Sequence, residues 1–145
     1  VEAETLKDLF IEAIDGMLLY QHESGMWYQV VDMVDNPENY LESSGTLMLS
    51  YVMLKGVRLG VLPEKYSAFG KKAFEGTVDK YMKEVDGEVI LGGICRSAGL
   101  GKDPSSGVLR DGSFKYYIYG EKIVENNGHG VGPLLMAFTE IERLK

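Results

Sequence analysis

One segment in the middle of the chain, residues 47–54, is apolar on nearly every side and constrains the fold more than any other. It reads Leu-Met-Leu-Ser-Tyr-Val-Met-Leu, and the helix that contains it is predicted to begin near Ser43 or Ser44 and to end at Leu59. A helix that is apolar all round is a buried helix, because none of its faces is suited to water. Other elements must therefore surround it.

The helices on either side have a different character, with one apolar stripe and one charged face. Such helices are predicted from about Ala3 to Gln21 and from Glu64 to Glu84, and a second apolar helix is predicted from residues 130–133 to about Leu144. Asp86-Gly87 predicts a turn, and residues 88–95 a short strand or extended piece. Amphipathic and apolar helices thus alternate, as the outer and inner helices of an α/α toroid do.

This order predicts an all-α fold with about two helical hairpins and a short β-hairpin or extended segment. A closed six-hairpin toroid, the (α/α)6 barrel, needs roughly three times as many hairpins, each stacked on its neighbours. Two hairpins alone would leave two lateral faces open to water. We therefore expect residues 1–145 to be one part of a larger helical domain. The missing N-terminal half, or a second copy of the chain, would cover the open faces.

Charge and composition exclude several classes of function. The chain has 145 residues with 15 basic and 22 acidic side chains, a net charge of −7, and no basic run, so we expect no nucleic-acid partner. No apolar stretch approaches the roughly 20 residues of a membrane span, so we expect no membrane partner. A lone Cys95 and two distant histidines offer no metal-ligand spacing, and we expect no metal and no cofactor. Nothing resembles a signal peptide; the predicted compartment is the cytoplasm, with the periplasm left open.

The loop over residues 25–32 is the first candidate for a sugar-binding segment. It places Trp27 and Tyr28 beside Gln29. Aromatic faces stack on sugar rings, and amides bond sugar hydroxyls. Trp27 and Gln29 are therefore candidate substrate-binding residues, although packing of Trp27 beneath the helical hairpin is an equally good interpretation.

The polar residues at the start of the buried helix form the second candidate. Glu42, Ser43 and Ser44 lie where free N–H groups and the helix dipole favour an anion, such as the carboxylate of a uronic acid. All three are candidate substrate-binding residues. Simple capping of the helix by these side chains is the competing and more ordinary interpretation.

Arg110 and His129 complete the candidates. Arg110 lies near the end of a glycine-rich loop over residues 99–112 that is long for a compact domain. Its guanidinium could clamp a substrate carboxylate, while a structural network with Asp111 is the more ordinary interpretation. His129 could act as a general acid or base, but no strong catalytic motif surrounds it.

Taken in order, these stretches resemble glycoside hydrolase family 105, the unsaturated rhamnogalacturonyl hydrolases; the related family 88 shares the barrel. The resemblance is to the C-terminal region of the family and covers nearly all of the chain. The matching segments are residues 25–32 (Gly-Met-Trp-Tyr-Gln-Val-Val-Asp), 38–46 (Glu-Asn-Tyr-Leu-Glu-Ser-Ser-Gly-Thr), 55–60 (Lys-Gly-Val-Arg-Leu-Gly), 110–113 (Arg-Asp-Gly-Ser) with Tyr116 and Tyr117, and 130–133 (Gly-Val-Gly-Pro).

The resemblance implies an (α/α)6 barrel that hydrolyses unsaturated galacturonyl residues from the non-reducing end of rhamnogalacturonan oligosaccharides. In that reaction an Asp protonates the C4=C5 enol ether and water adds. The implied partner is an unsaturated uronyl oligosaccharide, and no cofactor is implied.

The catalytic Asp of the family, a His and an Arg-Gly-Asn-Gly-Trp segment belong to the N-terminal half of its barrel, and these patterns are absent from this sequence. We therefore expect no catalytic residue in this chain and no activity from it in isolation. Asn127 and His129 also stand where many relatives carry Asp and Lys. The alternative function is a non-catalytic helical glycan-binding or protein-interaction module.

Overall fold

Helices make up about half of the protein. The computed structural model describes residues 2–97 and 99–144. Its helices are α1 (Glu2–Leu18), α2 (Ser43–Arg58), α3 (Tyr66–Tyr81), a π-helix (Tyr116–Gly120) and α4 (Gly128–Glu142). The four predicted helices are confirmed, with shifted ends.

The structure contains more strands than predicted, because the sequence indicated an all-α fold with only a short β-hairpin or extended segment. The described residues contain four two-stranded antiparallel sheets. They pair β1 (Trp27–Tyr28) with β2 (Leu41–Glu42), β3 (Met82–Val85) with β4 (Glu88–Leu91), β5 (Ile94–Cys95) with β8 (Ile123–Val124), and β6 (Gly101–Lys102) with β7 (Leu109–Arg110). Three of the pairs are two residues long on each strand, too short for an alternating pattern to be seen in the sequence.

The β3–β4 hairpin confirms the predicted turn and corrects the end of α3. Asp86 and Gly87 have φ angles of 53° and 82°, and two successive positive φ values are what a type I′ hairpin turn requires. Residues 82–85 therefore pair with β4, whereas the sequence predicted that the helix would continue to Glu84.

The apolar helix α2 lies at the centre of the fold and packs against both α3 and α4. Leu47, Met53 and Leu54 are at most 3% exposed, as predicted, whereas Met48 is 48% exposed, so the predicted burial on nearly every side is confirmed only in part. Two core clusters share the interior: Ile14, Trp27, Met53, Leu62, Tyr66 and Ala73 form one, and Leu47, Leu91, Ile94 and Ala137 form the other.

Some apolar side chains of α1 and α4 are exposed, contrary to expectation. Leu6 is 67% exposed, Leu135 59% and Phe138 47%. The residues of α4 that are buried are Gly130, Pro133, Ala137 and Glu140. Helix α4 is therefore buried along one side only, because the part of the chain that the structure describes places nothing over its other side.

A buried carboxylate joins α4 to α2. Glu140 is 3% exposed, and it accepts hydrogen bonds from Arg58 Nε at 2.6 Å, Arg58 Nη2 at 3.0 Å and Arg143 Nη1 at 2.7 Å. The bond from Arg58 lowers the pKa of Glu140 more than its burial raises it.

Within the described ranges, every helix is too short or too polar to cross a lipid bilayer.

Candidate functional site

A cleft of about 300 Å³ opens at the N-terminal end of α2. Its lining residues are Gln29, Glu42, Ser44, Gly45, Met48, Cys95, Ser97 and His129. A smaller cleft of about 190 Å³ shares Gln29, Glu42 and Gly45 with it and adds Trp27. Together they form a groove across the start of the central helix, which we call the α2 groove.

A larger cavity of about 730 Å³ lies between the start of the β3–β4 hairpin and β8. None of the residues predicted to bind substrate lines it. Lys83, one of its lining cations, already pairs with Glu125 at 2.8 Å. The α2 groove, which gathers the predicted polar residues, is therefore the candidate site.

Glu42 forms the floor of the α2 groove and caps α2. The residue is 6% exposed. Oε1 accepts from Ser44 N at 3.0 Å, Ser44 Oγ at 2.6 Å and Cys95 N at 2.9 Å, and Oε2 accepts from Gly45 N at 2.6 Å. The capping interpretation therefore holds for Glu42, whereas the hydroxyls of Ser43 and Ser44 do not cap the helix. The N–H groups that the sequence offered to a substrate anion are already taken by the carboxylate of the protein itself.

The structure brings four of the six predicted binding residues together. Gln29, Glu42 and Ser44 line the larger cleft, and Trp27 lines the smaller one. Trp27 is 3% exposed, and its Nε1 donates to the carbonyl oxygen of Met17 at 2.7 Å. Its ring is thus a buried wall that packs against α1, as the packing interpretation predicted.

Ser43, in contrast, points away from the groove. It is fully buried, and its Oγ donates to the carbonyl oxygen of Gly92 at 2.8 Å. Consecutive residues of a helix face different directions, so Ser43 anchors the β4–β5 connection while Ser44 faces the groove. A direct contact between Ser43 and substrate would need this connection to open.

Arg110 also lies outside the groove. It donates to the carbonyl oxygens of Leu100 at 3.2 Å and Gly101 at 3.3 Å, and so holds the β6–β7 hairpin together. Asp111, the expected partner of Arg110, instead accepts from the N and Oγ of Ser113. The predicted network with Asp111 is replaced by bonds to the backbone.

Sequence reasoning missed Met48, Cys95 and Ser97 as lining residues. Met48 follows Ser44 by one helical turn, a spacing that places both on one face and could have identified it. Cys95 joins the groove through its backbone bond to Glu42, which no sequence pattern signals. Burial raises the pKa of the Cys95 thiol, and its Sγ donates to the Ser97 carbonyl at 3.2 Å. The same Sγ accepts a hydrogen bond from Gln29 Nε2 at 3.4 Å, so the thiol is engaged both as donor and as acceptor.

His129 enters the groove from the first turn of α4. Asn127 caps that helix by accepting from His129 N at 2.9 Å, and His129 Nδ1 lies 2.9 Å from the carbonyl oxygen of Arg96. A carbonyl oxygen only accepts, so Nδ1 carries the proton in this arrangement. In the neutral ring, Nε2 therefore keeps its lone pair and can accept a hydrogen bond.

A network of ion pairs supports the segment that follows Arg96. The Arg96 guanidinium donates to Glu121 Oε1 at 2.7 Å and to Asp103 Oδ2 at 3.3 Å. The hydroxyl of Tyr116 donates to Glu121 Oε2 at 2.6 Å, and burial together with this bond raises the pKa of Tyr116 to about 12. The network fixes the backbone of Arg96, the residue to which His129 is bonded.

We expect the protein to lose stability when the pH falls below about 4.5. Hydrogen bonds from Ser105 hold the pKa of Asp103 well below its usual 3.8. For Glu121, burial works in the opposite direction, but bonds from Arg96 and Tyr116 leave its pKa below 4.5. Both carboxyls bind protons more readily in the unfolded chain, so their stabilisation is complete above the unfolded pKa and is lost as the pH falls.

Thermal melts followed by circular dichroism check this expectation. The melting temperature should be level above about pH 5.5 and should fall from about pH 4.5 to about pH 3. A melting temperature that holds or rises over that acidic range would contradict the assigned ion pairs.

The α2 groove offers no free acid. Among the described residues that line it, Glu42 is the one carboxylate, and both of its oxygens are engaged. No group of three or more His, Cys, Asp and Glu side chains within residues 2–97 and 99–144 is arranged to hold a metal ion. What the groove can do by its own residues is to bind hydroxyl groups and a ring face.

The family model and the solved structures name two related glycoside hydrolase families, 88 and 105. The model described as Glycosyl Hydrolase Family 88 matches residues 2–145. A solved glycoside hydrolase of family 105 from C. acetobutylicum is 41% identical with a TM-score of 0.86, over 96% of this chain and 38% of that chain. A possible family 105 member from Klebsiella pneumoniae is 24% identical with a TM-score of 0.69, over 90% of this chain and 29% of that one, and supports the fold alone.

A curated relative from Rhizobium radiobacter, the "24.9 kDa protein in picA locus", is 35% identical over 130 residues. The match covers 86% of this chain and 54% of that protein. The chain therefore spans about half the length of the curated relatives that it matches. The helical part of the predicted fold is consistent with a partial helical glycosidase fold.

Proposed function

Because this chain belongs to glycosyl hydrolase family 88, we propose that it is part of an enzyme that hydrolyses unsaturated galacturonyl residues from the non-reducing end of rhamnogalacturonan oligosaccharides. Membership of the family supports glycosidase activity. The observation that carries the narrower proposal is the 41% identity with a family 105 structure over 96% of the chain.

Residues 1–145 would be the C-terminal portion of one (α/α)-barrel domain. Leu6, Leu9, Leu135 and Phe138 are between 47% and 67% exposed, and large apolar side chains of this kind suit burial by neighbouring hairpins. The match to only 38% of the family 105 chain also leaves room for those hairpins. The expected compartment is the cytoplasm, with the periplasm as the alternative.

The chemistry would be divided between two parts of the barrel. An Asp outside this chain would protonate C4 of the C4=C5 double bond, and water would add at C5 and return a proton to that Asp. The hemiketal formed at C5 would open, and the hemiacetal left at C1 would then collapse to an aldehyde as the glycosidic bond breaks and the neighbouring sugar leaves with its oxygen. The residues of this chain hold the oligosaccharide. Gln29 and His129 bond its hydroxyls, Glu42 and Ser44 shape the floor, and Trp27 forms a rigid wall. Ser43 and Arg110 support the groove from outside it.

We expect the purified 145-residue chain to show no turnover of an unsaturated rhamnogalacturonan disaccharide. The physical reason is that the one carboxylate of the groove is fully engaged, so no proton donor faces the double bond. The measurement is the ultraviolet absorbance of the enol ether, which disappears when water adds. Loss of absorbance at a rate proportional to the concentration of the isolated chain would contradict the proposal that the catalytic Asp lies outside this chain.

A chimera tests the enzyme itself. The matching segment of the C. acetobutylicum family 105 protein is replaced by this chain, and the parent protein is the positive control. If the proposal is right, a folded chimera consumes the unsaturated disaccharide. A folded chimera that leaves the disaccharide intact, while the parent consumes it, would refute the proposal. If the isolated chain still bound oligosaccharide in that case, the glycan-binding module would be favoured.

A further inference from the structure

We propose that the α2 groove binds an uncharged sugar ring of the oligosaccharide, not a uronate, and that Met48 sets this preference. The inference rests on the proposed function for its class of substrate. The groove would hold the neutral sugar unit of an oligosaccharide whose other unit is acidic.

The first argument is charge. The Glu42 carboxylate is buried at the floor and takes the donors at the start of α2. A uronate placed in the groove would add a second negative charge within a few ångströms, in surroundings where water screens poorly. Repulsion of that kind costs roughly tenfold or more in affinity.

The second argument is that the charge of Glu42 is not offset by a neighbouring cation. Of the described residues that line the groove, none is Lys or Arg. The guanidinium of Arg96 lies close in the chain, but it is bonded to Glu121 and Asp103. The Nδ1–H of His129 is donated to the carbonyl oxygen of Arg96, and in the neutral ring Nε2 is an acceptor, which offers no hydrogen bond to a carboxylate.

The third argument is the surface that remains. Met48 is 48% exposed and forms part of the wall of the groove. A flexible thioether is suited to an apolar ring face or a methyl group. Gln29 and the lone pair of His129 Nε2 supply a few polar contacts. An apolar wall with a small number of polar groups fits a neutral sugar, whose ring has both an apolar face and hydroxyls.

The test measures sugar preference by saturation-transfer NMR on the 145-residue chain. The probes are methyl α-L-rhamnopyranoside, which is uncharged, and sodium galacturonate. We expect the rhamnoside to bind at least about tenfold more tightly. Met48→Lys places a cation beside Glu42 and should shift the ratio by roughly tenfold or more towards galacturonate. His129→Ala should weaken the binding of both sugars to a similar extent, and so leave their ratio unchanged.

Met136→Lys is the matched control, because Met136 is also a half-exposed methionine on a helix, 44% exposed, and lies outside the groove. It should leave both affinities unchanged. Equal or tighter binding of galacturonate to the unmodified chain, no binding of either sugar, or equal shifts in the two lysine variants would each overturn the inference.

The inference and the proposed function fail separately. A chimera that consumes the disaccharide but whose sugar preference is unaffected by Met48→Lys would retain the function and remove the subsite. If the chain prefers the rhamnoside but the chimera cleaves nothing, the neutral-sugar site is retained and the proposed reaction is refuted.

Discussion

Replacing Glu42 by glutamine should lower the free energy of unfolding by about 3 kcal/mol. The carboxylate accepts four hydrogen bonds, three on Oε1 and one on Oε2. A glutamine side chain has a single acceptor oxygen. Its amide group would face a backbone N–H, so at least one buried donor would lose its partner. The charge that favours the helix N-terminus would also be lost.

Urea unfolding followed by circular dichroism measures this effect, and Glu38→Gln is the matched control. Glu38 is exposed and lies four residues earlier. The same substitution there should change stability by about 0.5 kcal/mol or less. Native-state labelling of Cys95 gives a second readout, because its backbone N–H is bonded to Glu42. If Glu42→Gln were no more destabilising than Glu38→Gln, the proposed role of Glu42 as a buried cap would be wrong.

Replacing Gly76 by alanine should also destabilise the protein, by about 3 kcal/mol, although alanine is the better helix former. A Cβ at position 76 would fall far inside van der Waals contact with the carbonyl oxygen of Ser24. That atom belongs to the backbone, so a rotamer change cannot relieve the clash. The turn that leads into Trp27 would have to move away from α3.

Gly16→Ala is the matched control, because the same substitution should have the opposite effect on stability at this position. Gly16 also lies in a helix, α1, and a Cβ there would meet nothing within 4 Å. Alanine should therefore stabilise the protein by about 0.5–1 kcal/mol through helix propensity. Thermal melts of the two variants should shift in opposite directions. Shifts of the same sign would mean that the close approach of the Ser24 turn to α3 is not maintained in solution.

Glu42→Gln and Gly76→Ala probe the floor and the rim of the α2 groove. Glu42 ties the start of α2 to β5, and the turn at Ser24 carries the chain into β1 and Gln29. Either change should therefore disturb sugar binding through loss of shape. Met48→Lys, on the exposed wall, should change the preference between the charged and the uncharged sugar while leaving the fold intact. This contrast separates support of the groove from contact with its ligand.

Much of the helical frame could be predicted from the sequence. The apolar run over residues 47–54 determined that α2 is central, because a segment without a polar face has to be surrounded. Asp86-Gly87 determined a hairpin turn, because both positions tolerate positive φ. The sequence motifs in residues 25–32, 38–46 and 130–133 were among those that indicated glycoside hydrolase families 88 and 105, and the comparisons bear this out.

The tertiary structure alone decided what the polar residues do. Glu42 could have left the helix start open to a uronate, or it could have filled that position itself. The sequence allowed both. Three of the four bonds to Glu42 are local, from Ser44 and Gly45, but the fourth comes from the backbone N–H of Cys95, 53 positions away, and only the tertiary structure provides it. The packing of distant segments likewise set the opposite orientations of Ser43 and Ser44 and brought His129 and Met48 into the lining of one cleft. Local patterns encode helices and turns because those depend on neighbours in the chain, whereas a groove depends on contacts between residues that the sequence keeps far apart.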